Sequence, residues 1–151
     1  MRDVNHAIDN LRQLTKLPSL DLDAAGNLTL IFDGTTPLNL AKIDGRTVEV
    51  WSELQGLGST SDAGTLLRLL ESNHLGEGTG AARLAVAPGR STFVLCERID
   101  VEPLSDTQFG ERIIGFLKYV TFWNSAVGAS STAPRNPAAS TLDTGDFIIR
   151  G

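Results

Sequence analysis

The stretch from Leu66 to Val86 constrains the fold more than any other part of this sequence. It begins with the leucine-rich run 66–70, passes through Asn73 into a glycine-rich segment, and ends in the small residues of 81–86. The leucine spacing predicts a helix over about residues 62–73, and the glycines that follow predict its end. The chain must therefore pass from an amphipathic helix through a tight turn directly into a strand.

The glycine-rich segment, with Gly76, Gly78 and Gly80, superficially resembles a nucleotide-binding loop. Phosphate-binding loops follow a strand and open a helix, because the amides at a helix N-terminus point at the phosphate. This segment follows a helix and opens a strand, and it has no Gly-Lys-Ser/Thr motif. We interpret Gly76 as a helix C-cap in the left-handed conformation and predict that the chain uses no cofactor.

Two further helices are predicted outside this stretch. Asp3 can cap a first helix, which must end before Pro18 because the residue preceding a proline avoids the helical conformation. Ser105 and Gln108 form a capping box that opens the last helix. That helix carries a wide apolar stripe on Phe109, Ile113, Phe116, Val120 and Trp123.

Alternation of apolar and polar residues predicts five strands. Three lie between the first two helices, around residues 28–32, 38–42 and 48–51, and two lie at about 82–86 and 92–99. Runs of adjacent strands between helices imply an antiparallel meander and not βαβ units. The predicted fold class is α+β, with the order helix, three strands, helix, two strands, helix and a twisted antiparallel sheet.

The predicted sheet is partly apolar on both faces. Ile31, Ile43 and Trp51 have the opposite parity to the strongly apolar face of their strands. One face would pack against the helices, and we expect the other to be available to a partner.

Charge and cysteine content exclude several classes of protein. The net charge is −5 and the isoelectric point about 4.9, so the chain has no electrostatic reason to bind nucleic acid. Cys96 stands alone and cannot form an internal disulfide, which suggests a reducing compartment. The N-terminus lacks the apolar core of a signal peptide, and no run approaches the roughly 20 apolar residues of a membrane span. We expect a cytoplasmic protein without membrane insertion.

The composition changes near the C-terminus. Residues 128–140 hold Ser, Thr, Ala, Pro and Asn with almost no bulky apolar side chain. Such a segment cannot bury enough apolar surface to offset the cost of ordering it. We predict a folded α+β domain over residues 1–127 and a flexible C-terminal tail over 128–151.

Two local patterns resemble class I type III secretion chaperones, the Tir chaperone family. One is the helix, glycine-rich turn and strand of residues 66–86. The other is the run 27–33 followed by Pro37-Leu38-Asn39-Leu40, which is similar to the early strands of the family. The resemblance covers about residues 3–126. It implies an ATP-independent bacterial homodimer, without catalytic residues or metal, that binds the extended N-terminal region of a secreted virulence effector.

The resemblance also implies two sets of binding residues. The dimer interface would lie on the second helix and the strand after it, with Leu66, Leu67, Leu69, Leu70, Leu84 and Val86 as its members. The effector would bind to the first helix and the sheet, at Leu11, Leu28, Leu30, Phe32, Leu38 and Leu40. Some of this second set would belong to the core.

Two other functions remain open on the sequence. The first is a bacterial regulator or protein-binding module of the same fold outside secretion. The second is a small hydrolase with Cys96 as nucleophile, which would need His6 or His74 to activate the thiol. No sequence cue pairs either histidine with the cysteine, and a cysteine amid Phe93, Val94 and Leu95 is typical of a small buried hydrophobe.

Overall fold

The computed structural model describes residues 1–125. Within that range it has three α-helices and one five-stranded antiparallel sheet, in the predicted order, so the α+β fold class is confirmed. A short 3₁₀ turn, His74–Gly76, lies between the second helix and the fourth strand. The elements are α1 Val4–Thr15, β1 Asn27–Phe32, β2 Thr36–Lys42, β3 Thr47–Leu54, α2 Ala63–Ser72, β4 Arg83–Ala87, β5 Thr92–Asp100 and α3 Asp106–Asn124.

The sheet has the order β1-β2-β3-β5-β4, which leaves β1 and β4 as its edges. β1 pairs antiparallel with β2, and Leu30 lies opposite Leu38. β4 pairs antiparallel with β5, and Leu84 lies opposite Leu95. β1 shows a strictly alternating burial pattern, which agrees with the alternation in its sequence.

The described residues form two compact units, each with its own buried apolar side chains. The first unit contains residues 1–50 and 98–114, and the second contains 51–97 and 115–125. The most buried apolar residues of the first unit are Val4, Ala7, Ile8, Leu11, Leu38, Leu40, Val48, Val50, Ile99, Val101 and Phe109. Those of the second unit are Leu95, Phe116, Val120 and Trp123.

The predicted caps of α1 and α3 are confirmed. The side chain of Asp3 accepts a hydrogen bond from the main-chain N–H of His6 at 2.9 Å. At the start of α3, Gln108 N–H donates to Ser105 Oγ at 3.2 Å, and Ser105 N–H donates to Gln108 Oε1 at 2.9 Å. This reciprocal pair satisfies two amides that a helix start leaves without an internal partner.

The caps of α2 are Asp62 and Asn73, which agrees with the predicted helix over about residues 62–73. The side chain of the N-cap, Asp62, accepts from Thr65 N–H at 2.7 Å. The prediction that Gly76 is the C-cap is wrong, because the C-cap is Asn73, in right-handed conformation. Leu75 then takes a φ of 52° and Gly76 a φ of 71°, so the chain reverses in a separate turn.

Residues 128–151, the predicted tail, lie outside the described residues, and the domain boundary at 127 stays a prediction. Among residues 1–125, none of the helices combines the length and apolarity that crossing a membrane requires.

Candidate protein-binding surfaces

Large apolar side chains of the second unit are exposed on α2, on the turn after it and on β4. Leu67 and Leu70 are 59% and 66% exposed, Leu75 is 85% exposed, and Val86 is 40% exposed. Leu67 and Leu70 share one helix face because they are three positions apart. α2 lies against β4. We call Leu67, Leu70, Leu75 and Val86 the α2–β4 surface. Large exposed apolar side chains on neighbouring elements are typical of protein-binding surfaces, so these four residues are candidates for one.

The glycine-rich turn is fixed by α3 within the second unit. The indole N–H of Trp123 donates to the carbonyl of Gly78 at 3.0 Å, and this bond is buried. A side-chain carbon on Gly80 would lie 2.7 Å from Cε2 of Tyr119, so the tyrosine ring covers the backbone there. Burial raises the pKa of the Tyr119 phenol above its usual value of 10.0. The glycines therefore allow close packing between the turn and α3.

The six predicted dimer residues divide by exposure. Leu67, Leu70 and Val86 are exposed, whereas Leu69 and Leu84 are buried at 4% and 7% exposure. Leu66 is half-buried. The sequence shows that α2 carries more apolar residues than one core face needs. The structure shows which of them, Leu67 and Leu70, are exposed and can contact a partner, and that Leu69 is buried.

The six residues predicted to bind the effector are all buried in the first unit. Their exposure ranges from 1% to 8%, and they are Leu11, Leu28, Leu30, Phe32, Leu38 and Leu40. They form the apolar face of β1 and β2 together with one position of α1. In this conformation they belong to the core of the first unit, and their role in binding stays a prediction.

Three large apolar residues of the first unit are exposed. Leu14 on α1 is 52% exposed, Ile31 on β1 is 37% exposed, and Ile43 after β2 is 49% exposed. The opposite parity of Ile31 and Ile43 was visible in the sequence, and Leu14 lies at the end of the α1 stripe. The Cδ1 atom of Leu14 lies 3.0 Å from the position that a side-chain carbon on Gly110 would take. The missing side chain at Gly110 therefore allows Leu14 to lie close to α3.

The hydrogen-bond register determines which β1 residues face the sheet edge. Lys42 N–H donates to Gly26 C=O at 2.8 Å, so Gly26 and Lys42 form a hydrogen-bonded pair. Such pairs alternate along an antiparallel ladder, so Thr29 and Ile31 direct their main-chain groups away from β2. The residue opposite Ile31 is Pro37, which has no N–H to donate.

Asn27, the first residue of β1, is already engaged at its own edge position. Its N–H donates to Asp23 Oδ1 at 2.8 Å, and its C=O accepts from Asp23 N–H at 2.8 Å. Thr29 and Ile31 are therefore the two β1 residues at which an added strand would find edge-facing main-chain groups.

Ion pairs join β3 to neighbouring residues on the solvated surface. In the first unit, Arg98 Nε lies 3.0 Å from Glu49 Oε2. In the second unit, Arg90 Nη1 lies 3.0 Å from Glu53 Oε1. Pairs that are this exposed contribute at most about 1 kcal/mol each. The surface around these ion pairs is therefore polar. The exposed apolar residues of the α2–β4 surface and of the first unit remain the better candidates for contact with a partner.

Cys96 and His6, two of the side chains proposed for thiol chemistry, have other partners. Cys96 is buried on β5, and its Sγ–H donates to the carbonyl of Arg83 at 3.6 Å. His6 Nε2 lies 3.1 Å from Asp106 Oδ1 in the first unit. Among residues 1–125, no group of three or more His, Cys, Asp or Glu side chains is arranged to hold a metal ion.

The chain matches a known protein family. The model of the Tir chaperone protein (CesT) family matches residues 6–124, which extend from α1 to the end of α3. No curated protein sequence matches the chain.

Three solved structures are similar to this chain. A chain of the ExsC–ExsE complex matches with a TM-score of 0.69 and 19% identity over 85% of this chain and 96% of its own. A chain of the HopA1–SchA chaperone–effector complex matches with a TM-score of 0.65 and 19% identity over 82% and 94%. YbjN from E. coli, described as a proposed transcription regulator, matches with a TM-score of 0.52 and 13% identity over 80% and 90%. At these identities the likeness shows the fold.

Proposed function

We propose that this chain, which belongs to the Tir chaperone protein family, is an ATP-independent chaperone of a bacterial type III secretion system. It binds the extended N-terminal region of a cognate effector and keeps that region soluble and ready for secretion. The observation that carries this proposal is the family match over residues 6–124, because it reaches from the first turn of α1 to the end of α3. Complexes of chaperones with effectors among the structures of the same fold support it.

The effector is proposed to bind the first unit as an added strand. Main-chain groups of Thr29 and Ile31 at the β1 edge supply hydrogen bonds, and apolar side chains of the effector contact the exposed Leu14, Ile31 and Ile43. Ordering an unfolded segment costs several kcal/mol, so binding requires a large wrapped area. The six buried residues predicted from the sequence would then act by holding this surface in place.

The second part of the proposal is a homodimer formed by the α2–β4 surface. Leu67, Leu70, Leu75 and Val86 are large and exposed, and burying each would contribute roughly 1–3 kcal/mol. A two-fold dimer presents two copies of the effector-binding surface to one long segment. This arrangement fits a chaperone that must bind an extended partner.

The proposed mechanism is non-covalent and requires no cofactor, so we propose that the chain is not an enzyme. Binding and release of an unfolded segment need only complementary surfaces. We also place its action in the bacterial cytoplasm, where an effector is held before secretion. The location of Cys96, buried and donating to Arg83 C=O, supports a packing role for that residue.

A second candidate function is a protein-binding regulator outside secretion. The fold match to YbjN favours it, since that protein is described in terms of transcription and not secretion. The two candidates differ in their partner. A secretion chaperone is encoded near, and binds, a large secreted protein, whereas a regulator binds a cytoplasmic one.

The test is co-purification of the tagged chain with its endogenous partners, identified by mass spectrometry, in the presence of an ATP-depleting enzyme. The proposed function predicts a secreted protein that is retained through its N-terminal region and that fails to be secreted when this gene is deleted. A partner that is never secreted would favour the regulator. Loss of function on changing Cys96, with partner binding unaffected, would point to an enzyme.

A further inference from the structure

The side chain of Asn73 makes two hydrogen bonds to a single residue of β4. Leu84 N–H donates to Asn73 Oδ1 at 2.8 Å, and Asn73 Nδ2 donates to Leu84 C=O at 3.0 Å. A residue in a neighbouring strand offers the same pairing of one acceptor and one donor. The carboxamide therefore occupies the place that a strand residue would take beside Leu84.

This pairing lies on the outer edge of the sheet. β4 is the last strand in the sheet order, and Leu84 lies opposite Leu95 of β5. Pairs in an antiparallel ladder alternate between those bonded to each other and those that direct their groups outward. Because both main-chain groups of Leu84 go to Asn73, Leu84 is at an outward position, and so are Ala82 and Val86.

Little of the remaining β4 edge is suited to strand pairing. The N–H of Ala82 donates to Thr79 C=O at 3.1 Å, and Pro88, just after the strand, has no N–H. Of the three outward positions, Val86 is the one that lies between Leu84 and this proline. Without Asn73, the uncharged run 84–87 would present an apolar edge, which is the kind of strand that pairs with other chains.

The end of α2 fixes the position of Asn73. Its main-chain N–H donates to the carbonyls of Leu69 and Leu70 at 3.2 and 3.1 Å. Its carbonyl accepts from Gly76 N–H at 3.2 Å, where the chain reverses. α2 therefore ends where the side chain of its C-cap reaches the strand edge, and this explains why the helix stops before Gly76.

We infer that Asn73 closes the β4 edge to strand addition by a second copy of this chain. With the edge closed, the α2–β4 surface associates through side chains, and β4 does not join copies into open-ended sheets. This inference concerns self-association and does not depend on the identity of an effector.

The test uses Asn73→Ala and Asn73→Asp, with Asn5→Ala on the exposed face of α1 as the matched control. The aspartate has the same shape but places a carboxylate against Leu84 C=O. Sedimentation velocity over a range of concentrations is combined with amide hydrogen exchange at Leu84. In dilute Asn73 variants we expect the Leu84 amide to exchange up to about tenfold faster than in the parent chain.

At higher concentration both variants should form assemblies larger than those of the parent, and the Leu84 amide should become protected again as β4 strands pair. Adding Val86→Lys to Asn73→Ala should suppress the assemblies, because a charge on the edge opposes pairing. The inference is overturned if both variants, shown by circular dichroism to be folded, sediment like the parent at every concentration. It is also overturned if assemblies form while Leu84 stays unprotected, or persist with Val86→Lys.

Discussion

The ring of Tyr119 lies so close to Gly80 that a side-chain carbon there would sit 2.7 Å from Cε2 of the tyrosine. Gly80 also has a φ of 62°, which side-chain-bearing residues rarely adopt. Two independent constraints, one on space and one on backbone conformation, therefore meet at the same glycine.

Gly80→Ala should destabilise the protein by roughly 3 kcal/mol, from left-handed strain plus the displaced ring. Gly76→Ala is the matched control, because Gly76 has a φ of 71° with nothing within 4 Å of the added carbon. It should cost only about 1 kcal/mol. Urea unfolding monitored by circular dichroism measures both. An equal decrease in the free energy of unfolding for the two variants would show that the Tyr119 ring can move away without an energetic penalty.

The Asp62 cap predicts a dependence of stability on acid pH. Hydrogen bonds from the Thr65 side chain and N–H hold the pKa of the Asp62 carboxyl below its usual value of 3.8. Because the folded-state pKa is the lower one, the contribution is present above pH 3.8 and is lost as pH falls through the folded value. Asp62→Asn keeps an acceptor but cannot titrate in this range.

The Asp62→Asn variant should lose less stability between neutral pH and about pH 3 than the parent chain, as urea unfolding would show. An identical acid loss in both would assign the effect to other carboxyls, such as Asp44, whose pKa is also lowered, chiefly by its hydrogen bond with Arg46 N–H.

Helix caps and strand alternation could be predicted because each depends on residues close in sequence. Asp3 with His6, and Ser105 with Gln108, are separated by three positions, and the β1 alternation extends over six residues. The leucine spacing predicts the end of α2 near Asn73, but the contact that holds the Asn73 side chain could not be predicted, because Leu84 is eleven positions away. Gly76, which was predicted to be the C-cap, belongs to the following turn.

The candidate binding residues could be predicted by element but not by side chain. Parity shows which residues share a face of β1, yet it cannot show that the face with Leu28 and Leu30 is the covered one. The same limit applies to α2, where Leu69 and Leu70 are adjacent in sequence but 4% and 66% exposed. Exposure depends on the elements packed above each side chain, and those are distant in the chain.

Self-association is tested by Leu70→Asp. Leu70 is 66% exposed, so the substitution places a charge on the α2–β4 surface without disturbing buried packing. We expect monomers, or insoluble protein if the exposed surface is otherwise unprotected, by light scattering after size-exclusion chromatography. Leu14→Asp, at 52% exposure on α1, is the matched control and should leave the dimer intact. A soluble Leu70→Asp dimer of unchanged size would exclude the proposed interface.

Residues 128–151 should be dispensable for folding. Their composition lacks the apolar side chains needed to offset chain ordering. A chain shortened to end at Gly128 should melt within a few degrees of the full chain in differential scanning calorimetry. A large fall in melting temperature would mean that the apolar run Phe147-Ile148-Ile149 contacts the folded domain.

The central claim is that the first unit binds an extended effector segment without nucleotide. The most direct measurement is an NMR titration of the isotopically labelled N-terminal segment of the co-purified secreted partner with the unlabelled chain, in buffer without ATP. We predict tight binding, with the labelled segment remaining extended and not forming a globular fold. Leu14→Asp and Ile31→Asp, each shown to melt normally, should weaken binding by about 2 kcal/mol or more, while the folded, soluble Gly76→Ala variant should bind as the parent does. A segment that does not bind, that binds only with ATP, or that binds both aspartate variants with unchanged affinity would contradict the account.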